Sequence, residues 1–144
     1  MAVRRMDNVL LVVEDLDAAI AFFQELGLEL DGKNVVEGPW VGAVLGLDEV
    51  RADIAVVKTP DGHGRVELSK FHTPVAADAG PKAVNSPGFS RMMFAVDDIE
   101  DVLARLRSHG AELVGEVVRY QDYCLLCYVR GPGGFIVGLA EELG

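Results

Sequence analysis

The sequence is poor in the residues from which metal, redox and nucleic-acid sites are commonly built. Its 144 residues include three histidines and two cysteines, and 13 Lys and Arg stand against 23 Asp and Glu. The net charge of −10 argues against a nucleic-acid partner and against an anionic membrane surface, because both repel an acidic protein. This charge is compatible with a neutral or cationic small ligand.

Long apolar runs and familiar catalytic motifs are also missing. No run approaches the roughly 20 residues of a membrane span, and residues 1–8 are not followed by the apolar core of a signal peptide. We therefore expect no membrane association and a cytoplasmic location. The sequence contains no phosphate-binding loop, nucleophile elbow, zinc-protease motif or dinucleotide fingerprint. Half of the residues are hydrophobic, which is enough for an ordinary folded domain.

The two cysteines lie three residues apart, as Cys124 and Cys127. A C-x-x-C spacing suggests a redox or zinc motif only in a suitable setting. Here the surrounding sequence reads as a strand, in which residues three apart point to opposite faces. We predict two buried, reduced thiols.

One stretch of the sequence occurs twice. Residues 13–30 and 96–113 align at a constant offset of 83 residues, with Val, Asp, Ala, Gly, Glu and Leu at matching places. In each copy an apolar strand precedes an aspartate able to cap a helix, Asp15 or Asp98. Apolar residues at helical spacing follow, and then a glycine suited to a helix C-terminus, Gly27 or Gly110. The repeat predicts two copies of one structural unit.

The predicted fold class is α+β, with two βαβββ modules in tandem. The first module spans residues 1–70 and the second 90–144, within one structural domain. The stretch 71–89 between them is rich in proline and lacks a hydrophobic period, so we interpret it as a linker. In the second module the pattern predicts a helix over 99–108 and strands over 90–96, 112–120, 123–130 and 135–141.

The first copy carries the pattern V-x-D-L-x-x-A-I-x-F-F-x-x-L-G-L over residues 13–28. This pattern resembles the opening signature of the vicinal-oxygen-chelate superfamily, which includes glyoxalase I, bleomycin-resistance proteins and extradiol dioxygenases. The resemblance covers nearly the whole chain. It implies that the curved sheets of the two modules form a cup, with helices on the outer face and a site inside. In metal-using members, each module directs two metal ligands into that cup.

The resemblance places the four ligand positions on Asn8, Glu67, Arg91 and Gly138. Only Glu67 keeps a usual ligand, because an amide is a weak donor, a guanidinium is a permanent cation and glycine has no side chain. We therefore predict no metal at the family position and no cofactor. His72 is the one histidine with a chance of approaching the cup, where it would serve an atypical metal site.

We expect Glu67 and Arg91 to face the cup, and they are the candidate catalytic residues. Arg91 would grip a carboxylate or enolate oxygen, Glu67 would act as a base, and Gly138 would leave room beside them. The alternative is an internal salt bridge between Glu67 and Arg91 that fills the vacated space. The candidate ligand-binding residues are Asn8, Glu67, Arg91, Trp40 and Tyr128.

Three functions stay open from the sequence. The favoured one is a glyoxalase/bleomycin-resistance-like protein that binds a small molecule in the cup without the family metal. The alternative is a glyoxalase-like lyase or isomerase, or a dioxygenase-related enzyme, acting through Glu67 and Arg91 or through an atypically ligated metal. A structural module with an empty cup is the third. We expect a homodimer with two-fold symmetry.

Overall fold

The structure is a computed structural model that describes residues 4–76 and 80–144. The chain divides into two compact units, Met1–Asp78 and Ala79–Gly144. Each unit contains one mixed β-sheet with a helix packed on it. No helix in the described part of the chain is long and apolar enough to cross a membrane.

The first unit is a four-stranded sheet in the order β1-β4-β3-β2. Strand β1 runs parallel to β4, and the other pairs are antiparallel. A bulge at Leu30–Gly32 interrupts β2. The elements of this unit are β1 (Val9–Val12), α1 (Leu16–Leu26), β2 (Glu29–Glu37), α2 (Pro39–Leu45), β3 (Arg51–Lys58) and β4 (Arg65–Thr73). Strand β4 therefore extends three residues into the stretch interpreted as a linker.

The second unit repeats this topology. Its sheet has the order β5-β9-β8-β6, with β7 also paired to β8. Its elements are β5 (Arg91–Ala95), α3 (Ile99–Arg107), β6 (Glu112–Leu113), β7 (Val118–Tyr120), β8 (Cys124–Arg130), a 3-10 turn (Pro132–Gly134) and β9 (Ile136–Glu142). The two βαβββ modules predicted from the repeat are confirmed.

The strand predicted over 112–120 is two short strands instead of one. Leu113 pairs with Val129 and Val118 pairs with Leu126. Residues 114–117 therefore face only two residues of β8, and the surplus backbone cannot stay in the ladder.

The register of the parallel pair is the same in both units. Leu10 lies opposite Glu67 in the first unit, and Met93 lies opposite Gly138 in the second. In the second sheet, Val137 and Leu139 are buried on the side covered by α3. Strand alternation then places Gly138 on the other side. We call the side of each sheet that faces away from α1 or α3 its open face.

Both long helices begin where the sequence predicts. Asp15 and Asp98 accept hydrogen bonds from the backbone N–H groups of Ala18 and Asp101, at 3.0 and 3.1 Å. Helix α3 has a second cap, because the Ile99 N–H donates to Oε1 of Glu141 on β9 at 2.7 Å. These bonds satisfy N–H groups that have no partner within the helix.

The cysteines point to opposite faces of β8, as predicted. Cys127 is buried on the α3 side, and this burial raises the pKa of its thiol to about 11. The thiol of Cys127 therefore stays protonated at neutral pH. Cys124 is only half-buried, so the prediction of two buried thiols is wrong for Cys124, because β8 begins there and the residue lies on the uncovered side.

The cap of α3 allows a direct test of its contribution. Replacing Asp98 by Ala removes the acceptor for the Asp101 N–H, so we expect the free energy of unfolding to fall by about 1 kcal/mol. Asp98→Asn is the matched control, because it keeps an acceptor oxygen and should change stability little. Urea unfolding of the three proteins measures the difference, and an unchanged midpoint in Asp98→Ala would contradict the cap.

Candidate functional site

The open face of the second sheet holds a pair formed by Arg91 and Tyr128. Arg91 opens β5 and Tyr128 lies on β8, with β9 between them. The Arg91 Nε–H donates to the Tyr128 hydroxyl at 2.8 Å, and its guanidinium carbon lies 5.6 Å from the centroid of the Tyr128 ring. A cation at this distance from an aromatic ring is attracted by the π-system. The tyrosine thus fixes the arginine by two contacts.

The position of Gly138 is closed by two neighbouring side chains. A Cβ atom built there would lie 2.7 Å from Met93 Sδ and 3.3 Å from Tyr128 Cε1. The first distance is shorter than van der Waals contact allows, so any side chain would have to displace Met93. The expectation that Gly138 leaves room is therefore wrong, because Met93 and Tyr128 have taken the space.

Glu67 and Asn8 belong to the first unit. Glu67 lies on β4 between the buried residues Val66 and Leu68, and it is half-buried itself. Within the described first unit, its carboxylate has no hydrogen-bond or ion-pair partner. Asn8 precedes β1 by one residue and is exposed. Glu67 and Arg91 lie in different units, so their pairing stays a prediction.

His72 occupies a different side of the first sheet from Glu67. Its partner Asp53 shares the face of β3 that carries the buried residues Ala55 and Val57, which is the side of α1. The Nε2 of His72 lies 2.9 Å from Asp53 Oδ2. The hydrogen bond from His72 is the main reason that the pKa of Asp53 is held below its ordinary value. The contact with Asp53 therefore places His72 on the α1 side of the sheet, and not on the open face where it was expected.

The sequence did not reveal a three-residue charge cluster in the first unit. Asp31 lies at the β2 bulge, 2.7 Å from Arg65 Nη1 and 3.4 Å from Lys58 Nζ. Hydrogen bonds from Arg65 and Lys58 are the leading causes that lower the pKa of Asp31. The cluster depends on the bulge, which sequence alternation alone does not place.

Cavities in the first unit lie away from its predicted site residues. One of about 420 Å³ is walled by Asp15 at the start of α1 and by strand residues that include Lys33, Asp53 and Lys70. Another of about 540 Å³ lies along α2. Trp40 is on α2, but its side chain is 61% exposed, and other residues line these two cavities. The ligand-binding role expected for Trp40 stays a prediction.

The residues at the four positions where the family resemblance places metal ligands do not fit a metal ion. In the second unit, Arg91 presents a permanent cation, and the space beside Gly138 is taken by a thioether and a phenol ring. Zinc sites need thiolate, imidazole or carboxylate donors, usually three from protein. Among the described residues of either unit, no group of three or more His, Cys, Asp or Glu side chains is placed to hold a metal. Glu67 remains as a single competent donor.

Met93 is the site residue that the sequence analysis missed. The signal was available, because Met93 follows Arg91 by two residues and therefore shares its face of β5. Its contact with Gly138 depends on the pairing of β5 with β9, which the pattern of one strand does not specify. Tyr128 was predicted as a lining residue, and its bond to Arg91 was not.

Comparisons with known proteins agree with the topology. Residues 5–139 match the family model described as the Glyoxalase/Bleomycin resistance protein/Dioxygenase superfamily. A glyoxalase family protein from Bacillus cereus has a crystal structure with 54% sequence identity and a TM-score of 0.95, covering 100% of this chain and 99% of that one. Among curated protein sequences, no match reached significance.

Two more distant structures share the fold. The trypanothione-dependent glyoxalase I of Leishmania major has 18% identity and a TM-score of 0.68, covering 97% of this chain and 88% of its own. A genomically encoded fosfomycin resistance protein from Listeria monocytogenes has 13% identity and a TM-score of 0.63, covering 97% and 94%.

The donor set predicts that the protein purifies without a stoichiometric transition metal. Elemental analysis after mild dialysis should find far less than one zinc, nickel, iron or manganese per chain, because a single carboxylate cannot hold such an ion tightly. A matched sample of the Glu67→Gln variant should give the same low value. One equivalent of metal that is lost in Glu67→Gln would contradict this prediction.

Proposed function

We propose, because the chain belongs to the glyoxalase/bleomycin resistance protein/dioxygenase superfamily, that it binds a small molecule without the metal of the metal-using members. The binding site is the open face of the second sheet, around Arg91 and Tyr128. The observation that carries the proposal is the fixed guanidinium of Arg91, bonded to Tyr128 at 2.8 Å, at a position where the family resemblance places a metal ligand. The cup implied by that resemblance stays a prediction.

Binding without turnover is supported by the chemistry of this face. Arg91 is always protonated at physiological pH and cannot act as a base. Met93 and Gly138 offer no group that transfers protons. A cation held beside an aromatic ring and a thioether is suited to orienting a ligand.

A glyoxalase-like lyase or isomerase, or a dioxygenase-related enzyme, is the second candidate. It is favoured by Glu67, whose half-buried carboxylate has no partner within the described first unit. An unpaired carboxylate on a strand is available as a general base. In this candidate Glu67 moves the proton and Arg91 stabilises the oxyanion that forms.

A ligand retained through purification would separate the two candidates. Native mass spectrometry of protein prepared without added metal should show an extra small organic mass that Arg91→Ala loses. Arg107→Ala is the matched control, because it removes the same charge from the exposed end of α3. The ligand should remain chemically unchanged after long incubation, and Glu67→Gln should retain it.

Two results would count against the binding role. If the wild-type protein converts the bound molecule and Glu67→Gln does not, the protein is an enzyme and the second candidate is correct. If Arg107→Ala loses the ligand as completely as Arg91→Ala, the open face of the second sheet is not the binding site.

We also propose that the protein is a cytoplasmic homodimer, and helix α2 supports the assembly. Trp40 and Val44 lie one helical turn apart with exposed fractions of 61% and 75%. A second copy would remove these apolar side chains from water.

Sedimentation equilibrium should give a dimer at high micromolar concentration, and Val44→Asp should shift it toward the monomer. Val75→Asp is the control, because Val75 is equally exposed and lies outside α2. A wild-type monomer would contradict the proposal.

A further inference from the structure

The hydroxyl of Tyr128 has a proton that nothing in its unit accepts. A phenol can donate one hydrogen bond and accept others. Its oxygen accepts from Arg91 Nε–H at 2.8 Å, which uses an acceptor site and leaves the O–H to donate. Within the described second unit, no acceptor lies within hydrogen-bond reach of this O–H. The hydroxyl therefore presents a free donor on the open face.

The terminal nitrogens of the Arg91 guanidinium also have no hydrogen-bond partner within the described second unit. The guanidinium carries five N–H groups in a fixed plane, and the bond to Tyr128 uses the one on Nε. No carboxylate in the described second unit pairs with Arg91. The two terminal nitrogens remain, and their parallel N–H groups fit two oxygens of one carboxylate or phosphonate.

A second guanidinium lies on the same face. Arg130 on β8 and Arg91 on β5 are each paired in register with Ile136 of β9, which puts their backbones about 10 Å apart at the usual strand spacing. Arg130 donates to the backbone carbonyls of Gly134 and Lys82, both at 2.8 Å. Neither arginine is neutralised by a carboxylate within the described second unit. This end of the sheet is therefore positive, although the chain carries a net charge of −10.

We infer that the open face of the second sheet selects ligands that carry an oxyanion with two oxygens on one centre, a carboxylate or a phosphonate. Arg91 binds both oxygens through its terminal nitrogens. Tyr128 is the specificity-determining residue, because its hydroxyl fixes the plane of Arg91. The inference rests on the proposed binding function and names the ligand class for that same site.

The arrangement also explains which ligands are rejected. A ligand amine would be repelled by the two guanidinium charges. A neutral amide has one acceptor oxygen, so it can bond to only part of the fork formed by the terminal nitrogens of Arg91. Met93, which is 38% exposed, offers apolar surface beside the donors for the body of the ligand.

Four aryl probes with the same ring test the inference. They are benzoate, phenylphosphonate, benzamide and benzylamine, titrated into the full chain and followed by calorimetry and by the nitrogen-15 signal of Arg91 Nε. We expect benzoate or phenylphosphonate to bind at least about tenfold more tightly than benzamide, because hydrogen bonds to charged groups are stronger than neutral ones. Benzylamine should not bind. Preference for benzoate assigns a planar carboxylate, and preference for phenylphosphonate a tetrahedral anion.

Variants separate the role of Tyr128 from a structural one. Tyr128→Phe keeps the ring beside Gly138 and removes only the hydroxyl, so anion affinity should fall about tenfold while benzamide affinity stays unchanged. The Arg91 Nε signal should move in the ligand-free variant, because its acceptor is gone. Tyr123→Phe, at an exposed tyrosine of the same unit, should match the wild type. Arg91→Lys is measured together with Arg91→Ala, because lysine keeps the positive charge and loses the planar fork.

The possible failures point to different conclusions. If benzamide binds the wild type as tightly as both anions, ligand binding at this face stands and the oxyanion class is wrong. If Tyr128→Phe binds the anions as the wild type does, Tyr128 does not determine specificity. If none of the probes perturbs the Arg91 signal, the open face of the second sheet is not a binding site and the proposed function fails with it.

Discussion

The parallel pairing of the first strand with the last, made once in each unit, is the constraint on which the other features depend. It sets Leu10 opposite Glu67 and Met93 opposite Gly138. Because successive strand residues alternate between faces, this register decides which side chains lie under the helices and which lie on the open face. A slip of one residue in β4 would bury Glu67 under a helix and turn Val66 outward, and the same slip in β5 would bury Arg91. The buried apolar residues on the helix side therefore hold the polar residues in place on the other side.

The same register decides which residues stand at the ligand positions that the family resemblance implies. In the second unit, one of these positions holds the guanidinium of Arg91. The other holds Gly138, and the space beside it is occupied by Met93 and Tyr128. A guanidinium needs no ligands to keep its charge, but it must be oriented, and Tyr128 supplies this orientation. Sequence composition alone favours a neutral or cationic ligand, because the chain is strongly acidic. Arg91 and Arg130 have no carboxylate partner in the described second unit, and this supports the proposed preference for an anion, since potential at a site depends on its nearest charges more than on the total.

The sequence was informative wherever a repeated local pattern decides the structure. The offset of 83 residues predicted two copies of one unit, and the Asp15 and Asp98 caps begin their helices as expected. Prediction failed where the outcome depends on partners in other strands. The extra residues between β6 and β7 are surplus only when counted against β8, and the filling of the Gly138 space depends on Met93 and Tyr128 from both neighbouring strands. The position of His72 likewise depends on Asp53 of the neighbouring strand, which holds it on the α1 side.

Anomalous diffraction from crystals soaked in 4-bromobenzoate would test the central claim most directly, because it locates both ends of a bound anion in one experiment. The account predicts a bromine peak on the open face of the second sheet, with the carboxylate on the terminal nitrogens of Arg91. The Arg91 Nε bond to Tyr128 should be intact, and no metal should lie between the ligand and the protein. A carboxylate bound elsewhere, or bound here through a metal ion with Arg91 turned away from Tyr128, would contradict it.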